Sequence, residues 1–437
     1  MCRQSGIALK SADHSASVPR PPARRVMDYR LYHLDGLRGL AALLVMIHHT
    51  VIAFDFALYS GRLENSRVAW DIPLSGLPFT IGAIGDLSVC IFFLLSGYVL
   101  SRSFSRTRLG IPALVIKRYV RLGVPIFVIV LLSWALIAAG AMDNAPVARL
   151  THSTWLATQS SFRPDLRVAV EDGLYGALLL GHSQFDTSLW TMPIEFQGSM
   201  ILILTFTATR WWFGTGAQRN LWSGGLLLLF AVMMHGSLLL LFGVGAAAYI
   251  FDLRGRTEPL CRLPPVAATF VFAGLLLGTV PFSAARPALF TWVVEAAPIH
   301  YGLPWRRMDP ESFWHAVGAL LLLVVIDGNP SLRNWLSSRP LRVLGEVSFP
   351  LYLVHLPVLL SVGCSTYIWL LTAGLPIAAA TVLAMLITWV SSLLAAGLLN
   401  RTVERSAIAS SIASAASVQA GIDLVRSRAR RVGSTAS

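Results

Sequence analysis

The first long apolar stretch of the chain, YHLDGLRGLAALLVMIHHT, contains residue types that could do chemistry. Arg38 and His49 are eleven residues apart, which on an α-helix is three turns plus about 20°. The two side chains therefore share one helix face and are separated by about 16 Å along the axis. Asp35 lies on nearly the same face, whereas His48 points about 100° away from His49.

The types of these residues suit two roles. An arginine near the end of a membrane-spanning helix can hold a phosphate, because its planar guanidinium gives two charge-assisted hydrogen bonds. An imidazole carried to mid-membrane is neutral near pH 7 and can accept a proton. The spacing therefore predicts a general base, His49, that faces a phosphate-binding Arg38. In the structural alternative, Asp35 pairs with Arg38 to hold the helix against its neighbours, and a carbonyl oxygen satisfies His49.

The elements that must position these residues are membrane helices. Hydrophobic residues make up 55% of the 437-residue chain and charged residues only 13%, which is about half the charge of a typical soluble protein. Apolar runs of about 20 residues indicate an all-α polytopic membrane protein. The four cysteines are scattered and match neither a disulfide framework nor a zinc site, so no metal is expected.

About ten transmembrane helices are predicted from the apolar runs. The predicted spans are residues 34–56, 81–101, 122–141, 188–208, 221–235, 236–251, 264–282, 312–327, 345–370 and 374–400. The split between the fifth and sixth spans is placed at His235-Gly236-Ser237. Lys and Arg concentrate in both tails and in alternate loops, which predicts that both termini are cytosolic.

Three regions follow from this reading. Residues 1–33 are predicted to be a disordered basic cytosolic tail, and residues 34–400 to be the transmembrane domain. Residues 401–437 are predicted to be a Ser/Ala-rich basic cytosolic tail, disordered or lying on the membrane surface. The net charge of +13 is spread over short loops beside the spans. We therefore expect membrane lipids, and not nucleic acid, as partners.

Several segments together resemble a known family. The stretch LDGLRGLAALLVMIHH is similar to the opening motif of the acyltransferase 3 family of integral membrane acyltransferases, in which an arginine is followed after ten residues by a histidine. Further segments agree in order along residues 33–400: CIFFLLSGYVLSRSF, IKRYVRLGVPIF, SLWTMPIEFQGSM and GEVSFPLYLVHLPVL. Two positions depart from the family pattern. Lys117 stands where arginine is common, and no second acidic residue follows Glu195.

The resemblance implies a membrane-bound O-acyltransferase. Such an enzyme moves an acyl group, commonly acetyl, from acyl-coenzyme A as co-substrate to a hydroxyl group of a sugar, lipid or small metabolite. His49 would remove the proton of the acceptor hydroxyl as its oxygen attacks the thioester. Arg38 would bind the phosphates of coenzyme A together with Lys117, Arg118 and Arg121 of a cytosolic loop. For the three loop residues the alternative is charge that only orients the protein in the membrane.

Other segments of the resemblance add supporting residues. Glu195, the only acid in its span, would orient the acceptor or hold His49, or it would neutralise an arginine structurally. Tyr352 and His355 lie in a span interrupted by two prolines, where irregular backbone implies a cavity. With Trp190 and Asp35, these two residues are predicted to support the substrate or the site.

Two features of the sequence bear on the nature of the acceptor. The long non-cytosolic loop at 142–187, which contains Trp155 and His152, is predicted to help shape the acceptor site. No hydrolase-like domain is attached, which favours a small hydrophobic acceptor, such as a specialised metabolite, over a polymer. The alternative from another class is a multi-pass transporter or lipid flippase, although the chain shows no two-fold internal repeat. In a third alternative, an acyltransferase of another superfamily, Arg38 would be dispensable.

Overall fold

The computed structural model describes residues 31–77, 84–214, 216–234, 236–282, 284, 286–297 and 308–435. The chain from Tyr32 onward forms one compact unit. Within the described ranges the secondary structure is helical and contains no strand, which confirms the all-α prediction. Residues 1–30 of the predicted N-terminal tail and the predicted split point at His235 lie outside the described residues.

Helices of many lengths build the described part of the chain. The α-helices are α1 Tyr32–Phe54, α2 Phe56–Ser60, α3 Asp71–Ser75, α4 Ile84–Arg106, α5 Ile111–Ala138, α6 Asn144–Thr151, α7 Thr154–Ala157, α8 Leu166–Glu171, α9 Met192–Phe213, α10 Ala217–Met233, α11 Leu240–Ile250, α12 Leu253–Cys261, α13 Pro264–Gly278, α14 Ala288–Glu295, α15 Pro310–Gly328, α16 Pro330–Leu336, α17 Arg339–Glu346, α18 Ser348–Val358, α19 Cys364–Thr372, α20 Ile377–Leu399 and α21 Arg405–Thr435. Short 3-10 helices are formed by Leu63–Asn65 and Thr187–Thr191, and π-helical turns by Asp172–Leu180, Leu359–Gly363 and Asn400–Glu404.

Helix starts follow local sequence signals. Prolines stand in the first turns of α9 and α15, where the missing N–H would have had no partner within the helix. The side chain of Asp309 caps α15 by accepting from the backbone N–H of Ser312 at 2.7 Å. Asn329 caps α16 in the same way, accepting from Ser331 at 2.9 Å. The starts of these helices are therefore marked in the sequence by a proline, by a capping side chain or by both.

Seven helical segments in the described residues are long and apolar enough to cross a membrane, consistent with a multi-pass membrane protein. They correspond to the first four and the last three predicted spans, and are Tyr32–Phe54, Ile84–Arg106, Ile111–Ala138, Thr187–Phe213, Pro310–Gly328, Ser348–Thr372 and the long helix that begins at Ile377. The prediction of ten spans is not confirmed. An eighth crossing results if α12 and α13, which are bent by 115° at their junction, count as one.

Helices shorter than these seven segments occupy the three remaining predicted spans. Helices of 17, 11 and 15 residues occupy the stretches predicted as spans 221–235, 236–251 and 264–282. An 11-residue helix is about 16 Å long, roughly half the thickness of the hydrocarbon core. Because α11 is packed against α4, its apolar side chains reflect burial in protein as much as contact with lipid. Hydropathy alone does not separate these two environments.

The C-terminal segment, which was predicted to be disordered or to lie on the membrane surface, is helical. The chain runs from α20 through the π-helical turn into α21 without a break. The small side chains of Ala407, Ser411 and Ala415, spaced by four residues, are buried on the face that packs against α5. Gln419 Oε1 accepts a hydrogen bond of 2.8 Å from the backbone of Gly110. The Ser/Ala composition indicated disorder, but alanine is the best helix former, and tertiary contact with α5 adds the rest.

One end of the bundle is rich in arginine and tryptophan. Here Arg219 donates to the Ser105 carbonyl at 3.1 Å, which ties α10 to the last turn of α4. Trp211, Trp212 and Trp222 are exposed at the junction of α9 and α10, as is typical of side chains at a membrane–water interface. We call this the basic end; α1 begins there, and α4 and α9 finish there.

Close backbone contact fixes the start of α1, and with it the position of Arg38. A Cβ atom added at Gly39 would lie 2.7 Å from the carbonyl carbon of Leu344 and 2.9 Å from Cα of Gly345. Both neighbours are backbone atoms of α17, which cannot move aside as a flexible side chain can. The glycines of the LDGLRG segment therefore allow α1 to lie directly on α17.

This contact predicts the effect of a single methyl group. Gly39→Ala should lower the free energy of unfolding by about 1–3 kcal/mol, because α1 and α17 must separate to admit the Cβ atom. The measurement is the melting temperature of the purified protein in detergent. Gly421→Ala is the matched control, since nothing lies within 4 Å of a Cβ atom there, and it should leave the melting temperature unchanged or raise it. Equal melting temperatures for Gly39→Ala and wild type would contradict the close contact.

Candidate active site

A cavity of about 160 Å³ lies inside the bundle between α1, α4, α5, α9 and α18. Its charged lining residues are Arg38, Arg118, Arg121 and Glu195. The remaining lining is apolar or weakly polar and consists of Val89, Phe92, Phe93, Ser96, Val99, Leu100, Leu122, Thr191, Met192, Phe349 and Tyr352. The structure thus brings together, from three separate helices, four charged residues that the sequence analysis had singled out.

Arg118 and Glu195 form a buried ion pair in the cavity wall. Glu195 Oε1 contacts Arg118 Nη2 and accepts a hydrogen bond of 3.0 Å from Ser96 Oγ. Arg118 Nε donates to Ser199 Oγ at 2.8 Å. The hydrogen bonds that the described residues give this pair come from α4, α5 and α9. This geometry matches the alternative in which Glu195 neutralises an arginine, and its role toward the acceptor or His49 stays a prediction.

A second carboxylate, which the sequence analysis missed, lies near the other two arginines. Glu404 is only 5% exposed, and the charges of Arg121 and Arg38 act on it. One of its oxygens, Oε2, is buried without a hydrogen-bond partner among the described residues. Glu404 ends the π-helical turn Asn400–Glu404, which advances the side chain by an extra fraction of a turn. Its signal in the sequence was a lone acid directly after the last long apolar run.

The other predicted residues are less closely associated with the cavity. Lys117 is half-buried on α5, and it is absent from the described lining. Asp35 and Trp190 are also outside that lining. The backbone carbonyl of Asp35 packs against Gly345 of α17, so this part of α1 belongs to the helix contact described above.

His49 and His355 form a hydrogen-bonded pair about three turns of α1 beyond Arg38. His49 Nδ1 lies 3.0 Å from His355 Nε2, and the ring centroids are 5.0 Å apart. His355 Nδ1 lies 2.7 Å from the carbonyl oxygen of Tyr352. The carbonyl of Val45, one turn earlier on α1, is a further partner of His49. The structure therefore joins two histidines that are 306 residues apart in the chain.

The partners of the two rings determine where their protons lie. A backbone carbonyl can only accept, so His355 Nδ1 carries a proton and donates it to the Tyr352 oxygen. In a neutral His355 ring, Nε2 is then an acceptor, and it accepts from the Nδ1–H group of His49. Neutral His49 keeps an unprotonated Nε2. A nitrogen of this kind can take a proton from a substrate, which is what a general base must do.

Irregular backbone follows His355. Pro357 lies two residues further along α18, and the π-helical turn Leu359–Gly363 comes next. Because a proline cannot donate to the helix ladder, Pro357 leaves the Leu353 carbonyl, four residues earlier, without its usual donor. His355 Nδ1 lies 3.2 and 2.7 Å from the carbonyl oxygens of Leu351 and Tyr352, in the regular turn before this interruption. The interruption predicted in this span is therefore present, directly after the residues that orient His355.

Tyr352 connects the histidine pair with the cavity. Its hydroxyl donates to the Ser188 carbonyl at 2.8 Å and is 2.8 Å from Thr191 Oγ1. The ring of Phe92 meets the tyrosine ring edge-on, with 5.8 Å between centroids. Tyr352 lines the cavity with its side chain and orients His355 with its carbonyl. Tyr352 and His355 thus lie between the cavity and His49, and their supporting role stays a prediction.

The predicted outer loop provides an aromatic side chain above His49. Trp155 of α7 stacks on the imidazole with 5.3 Å between centroids and 23° between ring planes. Ser153 caps α7, accepting from Leu156 N at 3.1 Å, and donates to the Ile52 carbonyl of α1 at 2.7 Å. The loop at 142–187 is therefore largely helical, and one of its helices is fixed to α1 beside His49.

Comparisons with known proteins identify the family of the chain. The family model described as an acyltransferase domain, that of the acyltransferase 3 family, matches residues 31–396. The chain is 24% identical to O-acetyltransferase PaAT-1 of Phomopsis amygdali over 378 residues, 76% of this chain and 72% of that protein. It is 22% identical to acyltransferase clz18 of Cochliobolus lunatus over 402 residues, 77% of this chain and 84% of that protein.

A third relative gives a similar result. Acyltransferase R4 of a Phoma species is 23% identical over 420 residues, 80% of this chain and 86% of that protein. No solved structure matches the chain. The family match covers most of the chain, from the start of α1 almost to the end of α20. The protein therefore belongs to the acyltransferase 3 family and is an O-acyltransferase.

Proposed function

We propose that the protein transfers an acyl group, most simply acetyl, from acyl-coenzyme A to a hydroxyl group of a small hydrophobic acceptor. The donor binds in the cavity lined by Arg38, Arg118 and Arg121, and His49 is the general base. The observation that carries this proposal is the hydrogen-bonded series from Tyr352 through His355 to His49, which leaves Nε2 of His49 as an acceptor. The name of the relative PaAT-1 supports acetyl as the transferred group.

The charges around the cavity support a phosphate-bearing donor. Arg118 pairs with Glu195 within the wall, and Arg38 and Arg121 line the cavity from α1 and α5, with their charges acting on Glu404. Guanidinium groups so placed can give charge-assisted hydrogen bonds to phosphate oxygens. The apolar remainder of the lining suits the uncharged arm that carries a thioester.

The chemical step requires one proton transfer and one bond exchange. The acceptor oxygen attacks the thioester carbonyl carbon while its proton moves to His49 Nε2. The carbon–sulfur bond then breaks, and the proton passes to the sulfur, which leaves as the free thiol of coenzyme A. His355 accepts from His49 Nδ1 throughout, so it holds the ring in the tautomer that the reaction needs. No covalent intermediate on the protein is required, because the thioester is already activated.

The base role predicts a large loss of rate without a loss of donor binding. His49→Ala should reduce acceptor-dependent release of coenzyme A from acetyl-coenzyme A by about 10²- to 10⁴-fold. Thiol release is measured on the purified protein with a panel of hydroxylated lipids, sugars and metabolites. Stabilisation of the melting temperature by acetyl-coenzyme A should persist, since the cavity is intact.

The control for this experiment is another histidine. His152→Asn changes an exposed histidine in the left-handed conformation at the end of α6, a conformation that asparagine tolerates. This variant should keep the wild-type rate. Full activity of His49→Ala, with any acceptor that the wild type uses, would refute the general-base assignment.

The phosphate role predicts a change in donor selectivity. Arg38→Gln should raise KM for acetyl-coenzyme A about 10- to 100-fold, because a charge-assisted hydrogen bond to phosphate is lost. KM for acetyl-pantetheine, which carries the same thioester but no phosphate, should change far less. The measurement is KM and kcat for both donors with a fixed acceptor.

Two comparisons isolate this effect. Arg108→Gln removes an exposed arginine beyond the last turn of α4, outside the described lining of the cavity. It should leave both KM values near those of the wild type. An equal loss with both donors in Arg38→Gln would mean that Arg38 supports the fold of α1 and does not contact phosphate.

A further inference from the structure

We propose that Trp155 is a positioning residue for the acyl transfer and stabilises the charged form of His49 through the π-face of its indole ring. This role rests on the proposed function, since it concerns the moment at which His49 has taken the acceptor proton. In that state the imidazole carries a full positive charge inside a membrane protein. Something other than water has to stabilise that charge.

The stacked geometry suits this role. The indole lies over the imidazole with 5.3 Å between centroids, and the planes are inclined by only 23°. A cation within about 6 Å of a tryptophan face is attracted by the negative charge of the ring face. The attraction strengthens when the site is desolvated. It acts on the protonated ring far more than on the neutral ring, so it favours proton transfer to His49.

The other described groups around His49 do not include a hydrogen-bonded carboxylate that could stabilise its protonated form. From α18 it meets His355, a neutral acceptor, and on α1 the ring of His48 lies edge-on at 5.4 Å. The charge of Asp86, on α4, acts on His48, and Tyr59 of α2 also contacts His48, with 5.9 Å between centroids. Among the described residues, no carboxylate is hydrogen-bonded to His49 or His355. The anion that accompanies many catalytic histidines is replaced here by a neutral ring and a π-face.

Hydrogen bonds on both sides of Trp155 in the chain fix its position. Ser153 joins α7 to α1 at the Ile52 carbonyl, within one turn of His49. Asn144 Nδ2 donates to the Leu156 carbonyl at 3.3 Å, which ties α7 back to α6. The indole is therefore held over the imidazole by hydrogen bonds on both sides of its own residue in the chain.

Two explanations of the stack predict opposite results. If Trp155 stabilises the imidazolium, its loss makes His49 a weaker base, so the acid limb of the kcat/KM profile moves to lower pH and the plateau falls. If Trp155 only excludes water, its loss hydrates the ring and favours the charged form, so the acid limb moves to higher pH.

The experiment is the pH dependence of kcat/KM for thiol release in Trp155→Leu, Trp155→Phe and wild type. For Trp155→Leu we expect the acid limb to move down by about half a pH unit or more, with a lower plateau. Trp155→Phe keeps an aromatic face and should remain close to the wild type. Trp369→Leu, which changes an exposed tryptophan elsewhere in the chain, is the control and should not shift the profile.

A fluorinated tryptophan placed at position 155 through a reassigned stop codon keeps the proposal testable if Trp155→Leu does not fold. It preserves the shape and the exclusion of water but weakens the negative face, so the acid limb should again move down. No movement with the fluorinated residue, or an upward movement with leucine, would overturn the role of Trp155. The role of His49 is tested separately, because activity that persists in His49→Ala would refute the proposed function whatever the profile of the Trp155 variants.

Discussion

The hydrogen bond between His49 and His355 is the interaction on which the site depends. It joins α1 to α18, whose residues are far apart in sequence, and it sets the tautomer of both rings. A histidine buried in a membrane protein has few ways to be oriented, because each unpaired polar atom is costly. Here the backbone carbonyl of Tyr352 accepts a hydrogen bond from His355 and so orients the pair. The helix interruption at Pro357 begins only two residues after His355.

The cost of burying an unpaired charge also explains the pairing of charges around the cavity. A buried arginine without a partner would destabilise the bundle, so Arg118 is matched by Glu195 inside the cavity wall. The charges of Arg121 and Arg38 act on Glu404, a further buried carboxylate. Three arginines, Arg38, Arg118 and Arg121, line the cavity together with one carboxylate, Glu195.

Several residues of the candidate site lie in or next to interruptions of regular α-helix. The turn Leu359–Gly363 follows His355, and the turn Asn400–Glu404 places Glu404 beside the arginines. Helix α7 arises within a stretch that reads as a loop, yet it sets Trp155 on His49. Insertion of one residue into a helix turn changes the facing of every residue after it. The places where the regular helical period is broken therefore help to determine which residues meet in the candidate site.

The sequence by itself determined the class of the protein and the first half of the site. Apolar runs of span length indicated the helical membrane architecture, and the spacing of Arg38 and His49 placed these two side chains on one face, because helix geometry is local. The number of spans could not be read in the same way, since the short helix α11 is as apolar as a true span. His355 as the partner of His49, Glu195 as the partner of Arg118, and Trp155 as the cover of His49 were decided only by tertiary structure. Each of these contacts joins different helices, and no local pattern encodes which helices become neighbours.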